Sequence, residues 1–220
     1  MRLLIFFCLL LSQQCTPKIS SEASQVTTKV NKPTPQQLDR AAEAIFAGGC
    51  FWCIEAVFER VEGVLEAVSG YTAGETKDPT YYEVGNGTTG HTEAVKVYYN
   101  PAVITYEKLV EVFFAAHDPT QLNRQGPDVG TQYRSGIYYQ TPEELNIVKK
   151  HITYLEKSEK YAQSIVTEVQ ELDVFYEAEE YHQDYYELHP ENPYVQRVSK
   201  PKVEKFKQQF PALVKAHYKK

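Results

Sequence analysis

Two cysteines three residues apart, Cys50 and Cys53, close the segment Gly48-Gly49-Cys50-Phe51-Trp52-Cys53. The apolar run Ala44–Ala47 before it reads as a buried strand, and Ile54, Val57, Phe58 and Val61 after it share one face of a helix. The two glycines allow a sharp turn between them, which puts Cys50 at the helix N-terminus. Unpaired N–H groups and the helix dipole favour an anion there, so Cys50 is expected as a reactive thiolate of depressed pKa. The bland alternative is a small cysteine packed among core aromatics. One helical turn sets Cys53 about 5–6 Å from Cys50, within disulfide range. Cys53 is therefore either a resolving thiol or a small buried helix residue. Of Phe51 and Trp52, the tight turn should force at least one outward.

A carboxyl stands out next. Glu93 lies in register with Val95, Val97 and Tyr99, at the loop end of an apolar strand face. Partial desolvation would raise its pKa and make it a proton donor near neutral pH. A strand-end glutamate leaning into solvent fits the same pattern. Tyr81, Asp128 and Tyr133 sit in or just after two long loops, and each alone is an ordinary polar residue.

These groups need elements to hold them. The pattern predicts strand 44–47, helix 51–61, strand 64–71, a loop to Gly90, strand 91–99, and a helix carrying Leu109, Val112, Phe113 and Ala116. A polar loop over 120–132 follows, then strand 133–139. Thr141-Pro142-Glu143-Glu144 reads as a capping box opening a further helix. Ile165, Thr167 and Val169 suggest one more strand. The first six elements run β-α-β-β-α-β, an α/β (α+β) fold with the ferredoxin-like split βαβ core, long functional loops and extra C-terminal elements.

The chain has 220 residues and a net charge of −6, which argues against nucleic acid as a partner. Arg2 and the apolar run Leu3–Leu11 read as an export signal over residues 1–14, too short to span a bilayer. Residues 15–40 have the composition of a disordered tether. The domain is expected over 41–200, and 201–220 reads as a basic surface helix or loose tail anchored by Phe206 and Phe210. Leu11–Cys15 resembles a loose bacterial lipoprotein box. The expectation is an exported, periplasmic or membrane-anchored protein, with an acylated Cys15 as its only membrane contact; Cys15 could equally be a remnant of a removed peptide.

Taken together, the segments resemble the peptide-methionine (S)-S-oxide reductases, the A-type methionine sulfoxide reductases. The likeness covers roughly residues 44–195. It rests on Gly48–Cys53, on Pro79-Thr80-Tyr81, on Thr89–Val95, on Arg124–Ser135 and on Glu180–Tyr185. It implies that Cys50 is the nucleophile, that Phe51 and Trp52 surround the substrate methyl group, and that Glu93 protonates the sulfoxide oxygen with help from Tyr81, Asp128 and Tyr133. It also implies reduction of the S-epimer of methionine sulfoxide, free or in proteins, through a sulfenic acid on Cys50. Many relatives carry resolving cysteines in a C-terminal tail. This chain has no cysteine after Cys53, so recycling to a Cys50–Cys53 disulfide falls to Cys53. The expected partners are oxidised proteins or free methionine sulfoxide and an external dithiol of the thioredoxin type, with no metal or other cofactor, acting on a monomer.

Two other classes share some of these features. A thioredoxin-like oxidoreductase also places Cys-x-x-Cys at a helix start, but it has no need of Phe-Trp between the cysteines or of the Glu93 and Tyr133 motifs. A metal-binding module would need ligand spacing that His91, His117, His182 and His189 lack.

Overall fold

The computed structural model describes residues 32–219. The export segment, Cys15 and the tether up to residue 31 lie outside the described residues. The first helix, α1 (Pro35–Leu38), is a single turn behind the N-cap Thr34. Then come β1 (Ala42–Gly48), α2 (Phe51–Glu59), β2 (Val64–Thr72), α3 (Tyr81–Gly85), β3 (Thr92–Tyr99) and α4 (Tyr106–Ala116). The two-residue strands β4 (Arg124–Gln125) and β5 (Asp128–Val129) precede β6 (Ser135–Tyr139), α5 (Pro142–Lys157), β7 (Glu168–Glu171), β8 (Phe175–Glu177), α6 (Tyr185–Leu188) and α7 (Lys200–Gln209).

Six strands form one sheet in the order β7-β6-β1-β3-β2-β8. Its middle four, β6-β1-β3-β2, are mutually antiparallel neighbours. β1 and β2 therefore run parallel with β3 inserted between them, which is the split βαβ arrangement. Strand β8 was not anticipated from the pattern. Three residues of mixed character carry no period-two signal, and β8 is set by pairing with Gly70–Thr72 of β2.

Helices α2 and α4 cover one face of the sheet. The reason is visible at Phe46 of β1, which stacks on Phe58 of α2 and Phe113 of α4 at centroid distances of 5.1 and 5.0 Å. A fully buried side chain of this size contributes about 1.5–3 kcal/mol. Val95, Val97 and Tyr99 of β3 enter the same core, while Ile45, Ala47, Ala94 and Tyr138 form a smaller cluster on the other face. The alternation along β3 thus points Glu93 into the helix-covered side.

One boundary differs from that read in composition. Residues 32–40, assigned to a tether, hold α1, and Lys32 pairs with Asp184 at 3.1 Å and Glu66 at 3.5 Å. Residues 201–219 take the helical alternative rather than the loose tail: α7 starts at the expected border, Phe206 anchors it in the core with Phe210 packed alongside, and Val203 and Val214 join the core as well.

Candidate active site

Cys50 is the N-cap of α2, and the approach to it depends on both glycines. Gly49 has φ +88°, and a Cβ there would lie 2.5 Å from Gln125 Cβ; one on Gly48 would lie 2.9 Å from Ile54. Gln125 belongs to the loop between α4 and β6. Its amide accepts from Asp118 N at 3.2 Å and donates to Asp118 O at 2.9 Å, so the loop is pinned against the cysteine turn. The pairing of β4 with β5 sets Asp128 opposite Gln125.

Glu93 is buried, which decides against the solvent-facing alternative. Its Oε2 accepts from Phe51 N at 2.9 Å, satisfying one of the free donors at the start of α2. Burial pushes the carboxyl up to about 8; the Phe51 N–H pulls the other way, and the charges of Asp128 and Cys53 add to the rise. Glu93 therefore holds its proton at neutral pH. Tyr81 opens α3 and Tyr133 ends the turn after β5. Both phenols are pushed up by burial and next by the charge of Glu93, and the charges of Cys50 and Asp128 also reach each of them. Tyr81 is held from behind, since its N–H donates to Glu179 Oε1 at 2.9 Å while Tyr71 OH donates to Glu179 Oε2 at 2.8 Å.

The apolar side is a set of rings. Phe51 is fully buried and Trp52 is the residue forced outward, only half-buried. Phe51 lies 5.1 Å from His182 and 6.1 Å from Tyr81 between ring centroids, and Trp52 stacks on Tyr185 at 3.8 Å. Trp52 Nε1 donates to His182 Nδ1 at 3.2 Å. Tyr194 donates to Asp128 and hydrogen-bonds Cys50. The structure thus brings together Cys50, Cys53, Phe51, Trp52, Tyr81, Glu93, Asp128 and Tyr133, all eight residues singled out in the sequence. Glu179, His182, Tyr185 and Tyr194 join them without having been assigned a role. The only sequence signal for three of them was the Glu180–Tyr185 motif and its surroundings; nothing local pointed to Tyr194.

One electrostatic expectation is corrected. Cys50 does not rest with a depressed pKa, because burial, then the hydrogen bond and charge of Cys53, then Glu93 push its thiol well up, and only Tyr194 opposes them. A helix N-terminus cannot outweigh full burial beside an acid. Cys53 is lowered to about 6, first by its hydrogen bond from Cys50, against burial, and then by Lys202 and Ser199. Burial thus lifts the Cys50 thiol while the groups around Cys53 lower its own. Cys53 N also donates to Cys50 O at 3.1 Å, closing the turn.

An electrophile placed between Cys50, Glu93 and the two phenols would meet sulfur on one side and acidic hydrogens on the other, with rings around any apolar substituent. Residues 42–213 match the peptide methionine sulfoxide reductase family. The peptide methionine sulfoxide reductase MsrA of Pasteurella multocida is 54% identical over 168 residues, covering 76% of this chain and 95% of that protein. That of Saccharolobus solfataricus is 48% identical, covering 79% and 97%. Among solved structures, Mxr1 from Saccharomyces cerevisiae in reduced form superposes with a TM-score of 0.64 at 36% identity, over 74% of this chain and 92% of that one. Methionine sulfoxide reductase A of Corynebacterium diphtheriae gives 0.61 at 37% identity, over 67% and 74%. The chain belongs to the A-type peptide methionine sulfoxide reductases, oxidoreductases that reduce methionine sulfoxide.

Proposed function

We propose that the protein reduces the S-epimer of methionine sulfoxide, free or in oxidised proteins, with Cys50 as nucleophile and Cys53 as resolving thiol. The observation that carries this reading is the buried Glu93 carboxyl, bonded to Phe51 N at the very turn that presents Cys50 and still protonated at neutral pH. Cys50 faces the carboxyl and phenols, whereas Cys53 is wholly buried against Ser199 at 3.2 Å. That difference supports attack by Cys50.

A sulfoxide sulfur accepts a nucleophile only when its oxygen is protonated or strongly hydrogen-bonded. Glu93 supplies the proton, and Tyr81 and Tyr133 donate to the same oxygen, with Asp128 and Tyr194 bracing the turn. Phe51 and Trp52 exclude water around the methyl group. The proton on Cys50 passes to Cys53, and the Cys50 thiolate attacks sulfur. Two electrons pass from the Cys50 sulfur to the sulfoxide sulfur, the S–O bond breaks, and the oxygen ends on Cys50 as a sulfenic acid while methionine leaves. Cys53 then passes the proton it received to the Glu93 carboxylate and attacks the Cys50 sulfur as thiolate. The S–S bond forms as the S–OH bond breaks, and hydroxide departs as water with a proton from Glu93. An external dithiol of the thioredoxin type returns the disulfide to two thiols. No metal or organic cofactor enters, and a monomer suffices.

Single-turnover reduction of each epimer tests the assignment. Cys50→Ser should form no methionine. Cys53→Ser should release about one methionine per enzyme and stall when thioredoxin is the reductant, with dithiothreitol restoring turnover in part. Undiminished thioredoxin-driven turnover by Cys53→Ser would remove Cys53 from the mechanism. Export and acylation of Cys15 are a separate proposal, carried by residues 2–15 alone. A mature N-terminus beyond residue 15, or retention of Met1, measured by mass spectrometry, would refute it.

A further inference from the structure

Helix α7 begins in an unusual way. The chain makes a π turn over Val195–Ser199, in which Lys200 N donates to Val195 O, before continuing as an α-helix. Pro201 explains it. Proline has no N–H to give to the carbonyl four residues back, and its ring would press on that carbonyl. Widening the preceding turn relieves the clash, and such turns recur at functional sites. The widened turn sets Ser199 Oγ 3.2 Å from Cys53 Sγ. Lys202 follows Ser199 by three residues and so lies on the same face of the helix. Its ammonium nitrogen is buried and has no hydrogen-bond partner among the described residues. An ammonium in that state is costly unless an anion stands near it.

The groups that sense Lys202 narrow the choice of anion. His117 on α4 is one, and it offers no negative charge: burial holds it down to about 4, and its ring bonds Phe113 O at 2.8 Å and Ser135 Oγ at 2.7 Å. Cys53 is the other. Facing Cys53 are Cys50 on its own turn, Glu93 from β3, Asp128 from β5, Tyr194 and Ser199 from the π turn, and Lys202 from α7. Lys202 is the one cation in that set, among acids, phenol and thiol.

We propose that Lys202, seated by the π turn beside Ser199, is a positioning residue that holds Cys53 as the thiolate which attacks the Cys50 sulfenic acid. The role in resolution rests on the reading of Cys53 given above. It also accounts for recycling in a chain whose only thiol after Cys50 is buried: the ammonium adds to the hydrogen bonds from Cys50 and Ser199 in keeping the attacking sulfur ionised against burial. The step balances because the proton that Cys53 took from Cys50 returns to the Glu93 carboxylate, Cys53 then brings an electron pair and no proton, and the departing hydroxide takes that proton from Glu93.

Two measurements on the full chain separate the claims. In a Cys50→Ser background, where the hydroxyl still donates to Cys53, thiolate absorbance gives the Cys53 midpoint without any turnover. Lys202→Met should raise that midpoint by roughly 1–3 units, and Lys202→Arg should restore most of it. An unmoved midpoint overturns the proposal. In enzyme retaining both cysteines, Lys202→Met should slow disulfide formation after one equivalent of sulfoxide by about tenfold or more at neutral pH, and its rate should recover as pH rises. A raised midpoint with unslowed, pH-independent disulfide formation overturns the role in resolution while leaving the charge pair. Should Lys202→Met fail to fold, Ser199→Ala tests the same seat: it should raise the midpoint by less than one unit, and no rise would count against the proposal. Failure of Cys53 as the resolving thiol shows separately, as normal thioredoxin-driven turnover by Cys53→Ser.

Discussion

Two buried carboxyls flank α2, and their fates differ. Glu93 meets its first N–H, and Glu59 sits in its last turn with Oε1 accepting from Ala67 N. Burial raises both, Glu93 to about 8 and Glu59 to about 7. Glu59, however, has the Lys215 ammonium 4.0 Å from Oε2, whereas the charges that reach Glu93 are those of Asp128 and Cys53. Glu59's proton has no acceptor of chemical interest near it. Glu93's proton lies between a thiol and two phenols. A perturbed pKa alone therefore does not mark the catalytic acid; what stands beside the carboxyl does.

The comparison can be broken most severely at Glu93. Glu93→Gln keeps the shape but loses the transferable proton, and the single-turnover rate should fall about 10²–10⁴-fold with binding of methionine sulfoxide little changed. Glu59→Gln should leave that rate near the wild-type value. Equal losses in the two variants would show that both act through the fold.

The pH dependence sharpens the contrast further. The thiol pair loses its proton near 6 and Glu93 loses its own near 8. The single-turnover rate should rise through about pH 6 and decline above about pH 8, a bell set by one thiolate and one acid. Glu93→Gln should abolish the alkaline limb from what activity is left, and Glu59→Gln should move neither limb. An alkaline limb that survives in Glu93→Gln would assign it to another group.

The smallest effect belongs to stability. Glu59 ionises near 4.5 when unfolded and near 7 when folded. Between those values the native state binds more protons, so stability is full below about 4.5 and declines as pH rises through about 7. Glu93 acts the same way up to about 8. Glu59→Gln should flatten the decline in melting temperature between pH 5 and 8 by a few degrees. An unchanged slope would mean that the Lys215 ammonium keeps Glu59 ionised throughout.

How much of this was legible in the chain follows from the range of the forces. The split βαβ order came from local periodicity, since Phe46, Val57, Phe58 and Phe113 report the faces they bury. Glu93 was legible for the same reason, its strand register with Val95 and Val97. Strand β8 and the hold of Glu179 on Tyr81 were not, because each depends on a partner distant in sequence.

Sequence by itself determined the cysteine turn, the acid on the apolar strand face and the order of elements. Each follows from backbone sterics or side-chain alternation within a few residues. The tertiary structure alone decided that burial lifts the Cys50 thiol while Cys53 is lowered. Cys53 and Ser199 are separated by 146 positions, and the π turn ahead of Pro201 brings that hydroxyl to the thiol. Desolvation and Coulomb interactions act through space at a few ångströms, so local sequence pattern does not encode their balance, and the thiol expected with a depressed pKa is the one that burial pushes up.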